Sequence, residues 1–261
     1  DVCSSDLPLD RHLLYQIAVQ APAADAALFA RWFRRAARRP LLTLCEDFCG
    51  TAAVACAFVA GGRGRRAIGV DHDAATLAWA RQRNLAALPP EARALVQLCC
   101  ADVRTAKVPR ADLIAALNFS YWVFHQRADL LRYLRASRRA LRPGGGIVLD
   151  VFGGGMAHRT FAERHQHRGF SHVWEQRALD PGTHRIDCRI HFERNDGRRL
   201  RNAFTYDWRM WTVPELLDLL REAGFVRTQV LWQDPASGEF RARKRPAPDP
   251  HWLAYVTALR E

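Results

Sequence analysis

Within its 261 positions the sequence has no run of about 18 apolar residues, the length that a membrane-spanning helix requires. No membrane partner is therefore expected. None of the seven cysteines forms a C-x-x-C pair, which removes the usual basis for a zinc ribbon or a redox dithiol. No G-x-G-x-x-G loop occurs, so the amide cradle that a dinucleotide pyrophosphate needs is missing. Lysine is nearly missing too: only Lys107 and Lys244 contribute to a combined Lys+Arg count of 39. There is no internal repeat and no appended RNA-binding module.

These absences set the compartment and partner expectations. Of Cys45, Cys49, Cys56, Cys99, Cys100 and Cys188, several sit inside apolar strand or helix patterns. They read as buried, reduced thiols in a cytoplasmic protein. Cys3 belongs to residues 1–7, which read as the translation of a sequencing adapter. That stretch is excluded from fold reasoning, and the natural N-terminus is expected to be missing. The net charge is +12. Its arginines are spread over every helical segment, as in Arg31, Arg34, Arg35, Arg38 and Arg39. That spread favours a solvated face over a nucleic-acid footprint, and nucleic acid is a possible but disfavoured partner. His158, His165, His167 and His172 lack ligand spacing, and His165 and His167 on a helix would face different ways, so no metal is expected. The oligomeric state is left open.

What is present centres on residues 41–52, LLTLCEDFCGTA. An apolar run ends in Glu46 and Asp47, a tight turn follows, and a small-residue run continues from it. This reads as a buried strand, a sharp loop and a helix packed close behind. Such a loop is where open α/β sheets bind nucleotides. Before it, residues 10–20 and 23–39 have helical spacing, and residues 8–40 are expected to form an N-terminal helical cap. After it, strands are expected at 67–70, 95–100, 111–117 and 147–151, with helices at 52–60, 74–87 and 128–141. Strands spaced by helices imply parallel βαβ crossovers. From residue 170 the period changes to alternation over 170–179, 184–193 and 200–211, with D-P-G-T and N-D-G turn signals between. Residues 170–211 therefore read as an inserted antiparallel meander. A helix at 214–223 and two antiparallel strands at 226–231 and 252–259 complete the chain. Residues 233–250, rich in Arg, Lys and Pro, are expected to be a mobile loop.

Polar residues recur at strand ends: Glu46 after the first, Asp71 after the second, Asp102 after the third and Asn118 after the fourth. Asp71 lies 25 residues beyond Glu46, a spacing that suits a carboxylate on ribose hydroxyls. The loop itself holds two carboxylates and no basic residue. Carboxylates repel a pyrophosphate and suit a cationic ligand.

These stretches, L-C-E-D-F-C-G-T-A at 44–52, G-V-D at 69–71, C-A-D at 100–102 and L-R-P-G-G at 141–145, resemble the successive motifs of class I S-adenosylmethionine-dependent methyltransferases. The resemblance covers residues 41–151 and weakens toward 225. It implies a Rossmann-like α/β fold with a mainly parallel seven-stranded sheet, a C-terminal antiparallel strand and an inserted antiparallel β-meander. It also implies S-adenosyl-L-methionine as cofactor. Residues 41–261 would form the methyltransferase domain. Carried over position by position, Glu46 orients the methionine part, Cys49, Gly50 and Thr51 form the loop, and Asp71 with His72 holds the ribose. Asp102 and Val103 meet the adenine, and Asn118, Phe119 and Ser120 pass near the transferred methyl. Two departures stand out. The motif's first glycine is Phe48 here, and its third is Ala52.

The segment Asn118-Phe-Ser-Tyr121 partly resembles the N-P-P-Y segment of amino-group methyltransferases, which makes Asn118 and Tyr121 the catalytic candidates. Tyr15, His125, Tyr206 and Arg209 are candidates for the acceptor side. Tyr15 could close over a ligand or pack in its helix, and His125 could be a base or a structural residue. Methyl transfer is an in-line displacement and can rest on proximity and orientation alone. The expected activity is methyl transfer to nitrogen or oxygen of a small molecule. The alternatives are transfer to RNA or protein, a non-catalytic adenosyl-ligand binder, and a nucleotide-dependent oxidoreductase.

Overall fold

The computed structural model describes residues 9–245 and 250–261. The adapter-like stretch 1–7 lies outside them. In chain order the elements are α1 (Arg11–Val19), α2 (Pro22–Ala37), β1 (Thr43–Asp47), α3 (Ala53–Ala60), β2 (Arg66–Asp71), α4 (Ala74–Ala80), α5 (Pro90–Arg93), β3 (Val96–Cys100), β4 (Ala111–Ala116), α6 (Arg127–Ala140) and β5 (Leu141–Gly153). Then come β6 (Phe161–His167), β7 (Phe170–Gln176), β8 (Arg185–Arg194), β9 (Arg199–Arg209), α7 (Val213–Glu222), β10 (Val226–Gln233), β11 (Phe240–Ala242) and β12 (Trp252–Leu259). Among the described residues no single helix is long and apolar enough to cross a membrane. The chain divides into two units, one of Ala21–Gly153 with Trp211–Glu261, the other of Gly154–Met210 with the N-terminal segment through Gln20. That division separates α1 from α2 within the 8–40 segment.

The larger unit is built on an eight-stranded sheet of order β11-β10-β12-β5-β4-β1-β2-β3. Strands β3, β2, β1, β4 and β5 are parallel. Strand β12 runs antiparallel to both β5 and β10. The chain steps outward from β1 to β3 and then returns to β1's other side as β4. The sheet's switch point therefore lies between β1 and β4, the place where this architecture binds ligands. The apolar runs form strands buried on both faces; β1 and β4 are buried along their whole length. Helix α2 starts with Pro22 in its first turn and lays Ala26, Phe29, Trp32 and Phe33 on the core. Phe29, Phe33, Leu44, Phe58, Leu77 and Leu113 share one cluster. Each such side chain contributes roughly 1.5–3 kcal/mol on burial.

The sheet has one strand more than expected. Strand β11 lies inside the stretch read as a mobile loop and pairs antiparallel with β10, with Trp232 opposite Arg241 and Gln233 opposite Phe240. The turn between them is organised by Asp234, whose Oδ1 accepts from the amides of Ala236 and Ser237, each at 3.2 Å. Gly238 closes it at φ +69°. Residues 246–249 of that stretch lie outside the described residues. Strand β5 is also longer than expected, because its pairing with β4 begins at Leu141 and absorbs residues 142–145 as an irregularity.

The smaller unit is a four-stranded antiparallel sheet of order β6-β7-β8-β9. Leu14 of α1 packs with Phe170, Ile190, Phe192 and Ala203 in its core. Asp10 caps α1, its Oδ1 accepting from the His12 amide at 2.9 Å. The meander was expected to begin at residue 170, and β6 corrects that. Its sequence, FAERHQH, is polar and mostly exposed, so no apolar alternation announces it. It is an edge strand held by seven register pairs to β7, turned by Gly169 at φ +89°. His165 and His167 therefore lie on a strand and share a face, rather than pointing apart on a helix. The His165 and His172 rings stack across the strands at 5.9 Å.

Candidate active site

The loop after β1 turns by alternating backbone conformations. Phe48, Gly50 and Ala52 have φ of +55°, +51° and +54°. The loop thus keeps a left-handed backbone at Phe48 and Ala52, the two positions where the motif has glycine. The Phe48 ring packs against Phe124 at 5.8 Å and Tyr133 at 5.7 Å. Cys49 is buried, and its amide donates to the Val70 carbonyl at 3.0 Å. Its side chain explains Gly69. A Cβ there would stand 2.8 Å from the Cys49 sulfur.

Two carboxylates tie this loop down. Glu46 Oε2 accepts from the Ala55 amide at 2.8 Å, so Glu46 satisfies the first turn of α3. Asp71 joins two loops. Its Oδ2 accepts from the Gly50 amide at 2.7 Å and its Oδ1 from the Asp73 amide at 2.9 Å. Thr51 is buried, and its carbonyl accepts from Asn84 Nδ2 at 2.8 Å. His72 is open to solvent, with 83% of its side chain exposed.

At the end of β3, Arg104 engages both oxygens of Asp102, the shortest contact being 2.6 Å. This ion pair holds the Asp102 carboxyl below its usual range. The Asp102 carboxylate is thus partnered, and the Val103 amide beside it donates to no described residue.

At the end of β4, Asn118 and Phe119 have φ of +54° and +57°. Their amides donate to the two oxygens of Asp150, Asn118 to Oδ2 at 2.5 Å and Phe119 to Oδ1 at 2.9 Å. The Asn118 side chain is half-buried, and its carbonyl takes no hydrogen bond from any described residue. Ser120 Oγ donates to the Leu117 carbonyl at 2.8 Å. Tyr121 departs from expectation. It is fully buried, and its hydroxyl donates to the Asp150 carbonyl at 2.7 Å. A side chain so placed anchors the turn and presents no ring to an acceptor. His125 is half-buried between this turn and α6.

Tyr15, Tyr206 and Arg209 belong to the smaller unit. Tyr15 packs on Phe204 at 4.9 Å, and Tyr206 stacks on Trp208 at 4.2 Å. Arg209 lies half-buried on the other face of β9 from Tyr206.

Reading by sequence alone passed over three groups. Asp150 is a lone acid in the apolar run of β5, and that interruption was the available signal. Tyr133 of α6 donates to Asp47 Oδ2 at 2.9 Å. Tyr255 of β12 donates to Asp25 Oδ1 at 2.8 Å. Desolvation pushes Glu46 up to about 8, against the Ala55 amide. It pushes Asp47 up to about 7, against the Tyr133 hydroxyl, and Asp150 up to about 8, against the two turn amides. Among the described residues no Lys or Arg forms an ion pair with Glu46, Asp47, Asp71 or Asp150, although the chain carries a net charge of +12.

A pyrophosphate does not fit this donor set. A cationic adenosyl ligand does, because the acids are uncompensated and Gly50 leaves room: a Cβ there would have only Thr76 Cγ2 near it, at 4.0 Å.

Residues 47–149 match a family described as a methyltransferase domain. A search of curated protein sequences found no significant match. Solved structures match almost the whole chain. An S-adenosylmethionine-dependent methyltransferase from Clostridium acetobutylicum is 14% identical, covers 95% of this chain and 97% of its own, and has a TM-score of 0.71. The S-adenosylmethionine-bound amino pentose methyltransferase CalS10 from Micromonospora echinaspora is 20% identical over 98% and 99%, with a TM-score of 0.69. The sugar N-methyltransferase KedS8 from Streptoalloteichus sp. is 20% identical over 100% and 96%, with a TM-score of 0.67. Together with the switch-point acids and the strand order, residues 47–149 are similar to a methyltransferase domain, and the chain shares the fold of these S-adenosylmethionine-dependent methyltransferases.

Proposed function

We propose that this chain is an S-adenosylmethionine-dependent methyltransferase that acts on a small molecule, at nitrogen or oxygen, with an amine favoured. The observation that carries the reading is the Asn118 turn. It offers a half-buried side-chain amide and an unengaged backbone carbonyl at the end of β4, beside the switch point. Two neutral acceptors side by side suit the hydrogens of an attacking amine. The amino pentose and sugar N-methyltransferases that share this fold over almost the whole chain lend support.

Glu46, Cys49, Gly50, Thr51, Asp71 and His72 would hold the methionine and ribose parts of the cofactor. The Val103 amide, with Asp102 steadied by Arg104, would meet the adenine. Asn118, Phe119 and Ser120 would lie along the reacting end. The cofactor supplies an electrophilic methyl on a sulfonium, which departs as a neutral thioether. The protein's part is to bind both partners in line, exclude water and lower the entropy of encounter. Asn118 accepts hydrogen bonds but cannot remove a proton, so an ammonium acceptor must shed its proton before attack.

Transfer to RNA or protein is the second reading, favoured by net charge. Against it, many of the arginines are already paired, as Arg39 and Arg142 are with Asp112. Incubation with methyl-labelled cofactor and a panel of amino sugars and other small amines, read by mass spectrometry, tests the proposal. Labelled RNA or protein with no labelled small molecule would sink it. A steep loss of activity with salt would point the same way.

A further inference from the structure

We propose that Asp150 is a positioning residue of the methyl-transfer site: its two carboxylate oxygens hold Asn118 and Phe119 in the left-handed backbone that presents Asn118 at the sheet edge. The inference rests on the reading that Asn118 faces the ligands.

Consecutive left-handed residues that are not glycine are costly, at roughly 1–2 kcal/mol each. Something must over-determine them. Here the register does so. Ala116 of β4 pairs with Leu149 of β5, so Asp150 stands beside the chain as it leaves β4. Each of its oxygens takes one amide, at 2.5 and 2.9 Å, and its carbonyl takes the Tyr121 hydroxyl at 2.7 Å. One residue thus fixes the turn at three points, residues 118, 119 and 121. The Phe119 ring closes the arrangement from β5's own side, edge-on to Phe152 at 4.7 Å.

The two-amide geometry belongs to the ionised carboxylate. A protonated acid would turn one O–H toward an N–H and lose that bond. Burial works the other way and pushes Asp150 up to about 8. The ionisable groups facing it are Asp25 from α2 and Tyr255 from β12, with Tyr121 on its carbonyl, and none of them supplies a positive charge. A ligand carrying an ammonium group would favour the ionised form and with it the ordered turn. Ligand binding and the geometry of Asn118 are in this way coupled through one proton.

The test uses the full chain and S-adenosylhomocysteine, with affinity and proton release measured by calorimetry in buffers of different ionisation enthalpy. Asp150→Asn keeps the shape and one acceptor, but its amide group opposes one backbone N–H. The expected result is a loss of affinity of at least about tenfold, with unchanged far-ultraviolet circular dichroism and fewer protons released per ligand bound near neutral pH. Affinity within about twofold of wild type would overturn the proposal. So would a loss of affinity with an unchanged proton count, since Asp150 would then be structural only. Should Asp150→Asn fail to fold, amide exchange of the wild-type protein decides. Protection of the Asn118 and Phe119 amides that fades as Asp150 takes up its proton supports the proposal, and exchange at open-loop rates overturns it. Wild-type protein that binds no adenosyl ligand would instead remove the reading beneath, a different failure that this experiment separates.

Discussion

The Gly50 amide donates to Asp71 Oδ2 at 2.7 Å, and this one hydrogen bond joins the loop after β1 to the end of β2. The carboxylate proposed to hold the ribose is thereby also a fastener of the loop that would face the methionine part. Its other oxygen is held by the Asp73 amide at 2.9 Å. Each oxygen keeps a further lone pair for a ligand hydroxyl.

Asp71→Ala should therefore lose both tasks. In the wild type, adenosyl ligand at about 100 times its dissociation constant should add roughly 2.7 kcal/mol of stability. The variant should show almost none of that shift. It should also be less stable without ligand, by about 1–3 kcal/mol, because two amides lose their acceptor. Thermal unfolding with and without S-adenosylhomocysteine checks both. A variant with the full ligand shift would remove Asp71 from the site.

The loop's two missing glycines give opposite expectations. Ala52 is buried at φ +54°, with a side chain of one methyl. Ala52→Gly relieves a left-handed residue worth about 1–2 kcal/mol and loses about 0.5–1 kcal/mol to unfolded-chain entropy, so stability should rise slightly. Phe48 has the same backbone, but its ring contacts Phe124 and Tyr133. Two aromatic pairs at about 0.5–1.5 kcal/mol each, plus lost apolar burial, outweigh the relief. Phe48→Gly should destabilise. Chemical denaturation of the two variants side by side checks the sign difference, and two variants of the same sign would contradict it.

That contrast shows what sequence could and could not carry. The apolar runs of β1 to β5 and the acids at their ends were legible, because burial on both faces and a polar strand end are local patterns. Phe48 was legible as a departure from the motif, but its ring contacts were not, since Phe124 and Tyr133 lie 76 and 85 residues away in the chain. Asp150 was hidden for the same reason: its partners at 118 and 119 are adjacent only through the pairing of β4 with β5. Strand β6 escaped because a polar edge strand is held by cross-strand pairing and needs no apolar face. Tyr121 looked like a catalytic candidate because sequence does not say which way a turn residue points.

The buried acids predict a pH dependence. Glu46 and Asp150 are pushed up to about 8 and Asp47 to about 7, from ordinary values of 4.5 for Glu and 3.8 for Asp. The folded protein then holds protons that the unfolded chain gives up, so the contribution of these three acids to stability is fully present below about pH 4 and declines as pH rises toward 8. A cationic ligand favours the ionised acids. Its binding should release protons near neutral pH, and its affinity should rise with pH up to about 8. Melting temperatures across pH, with and without S-adenosylhomocysteine, test this. A ligand-free melting temperature that climbs between about pH 5 and 8 would contradict it.

The smaller unit should behave in the opposite way in acid. Burial, with His165 and His167 nearby, pushes His172 down to about 4 from 6.5. His172 is only 7% exposed, and its Nε2 has no hydrogen-bond partner among the described residues. The charged groups around it are His165, stacked on it at 5.9 Å and paired with Glu163 at 3.4 Å, and His167 beside Phe170. A base whose folded value is depressed stabilises the fold above its unfolded value and loses that contribution as pH falls through the folded one. The window is therefore about pH 6.5 down to 4, and a shift of this size corresponds to roughly 3 kcal/mol. His172→Phe replaces the ring with one that cannot charge, against Phe192 at 5.9 Å. It should flatten acid unfolding of the β6–β7 pair while leaving stability near neutral pH within about 1 kcal/mol. Hydrogen exchange of β6 and β7 amides between about pH 4 and 7 reads the effect locally, and an acid response unchanged in His172→Phe would assign it to other groups.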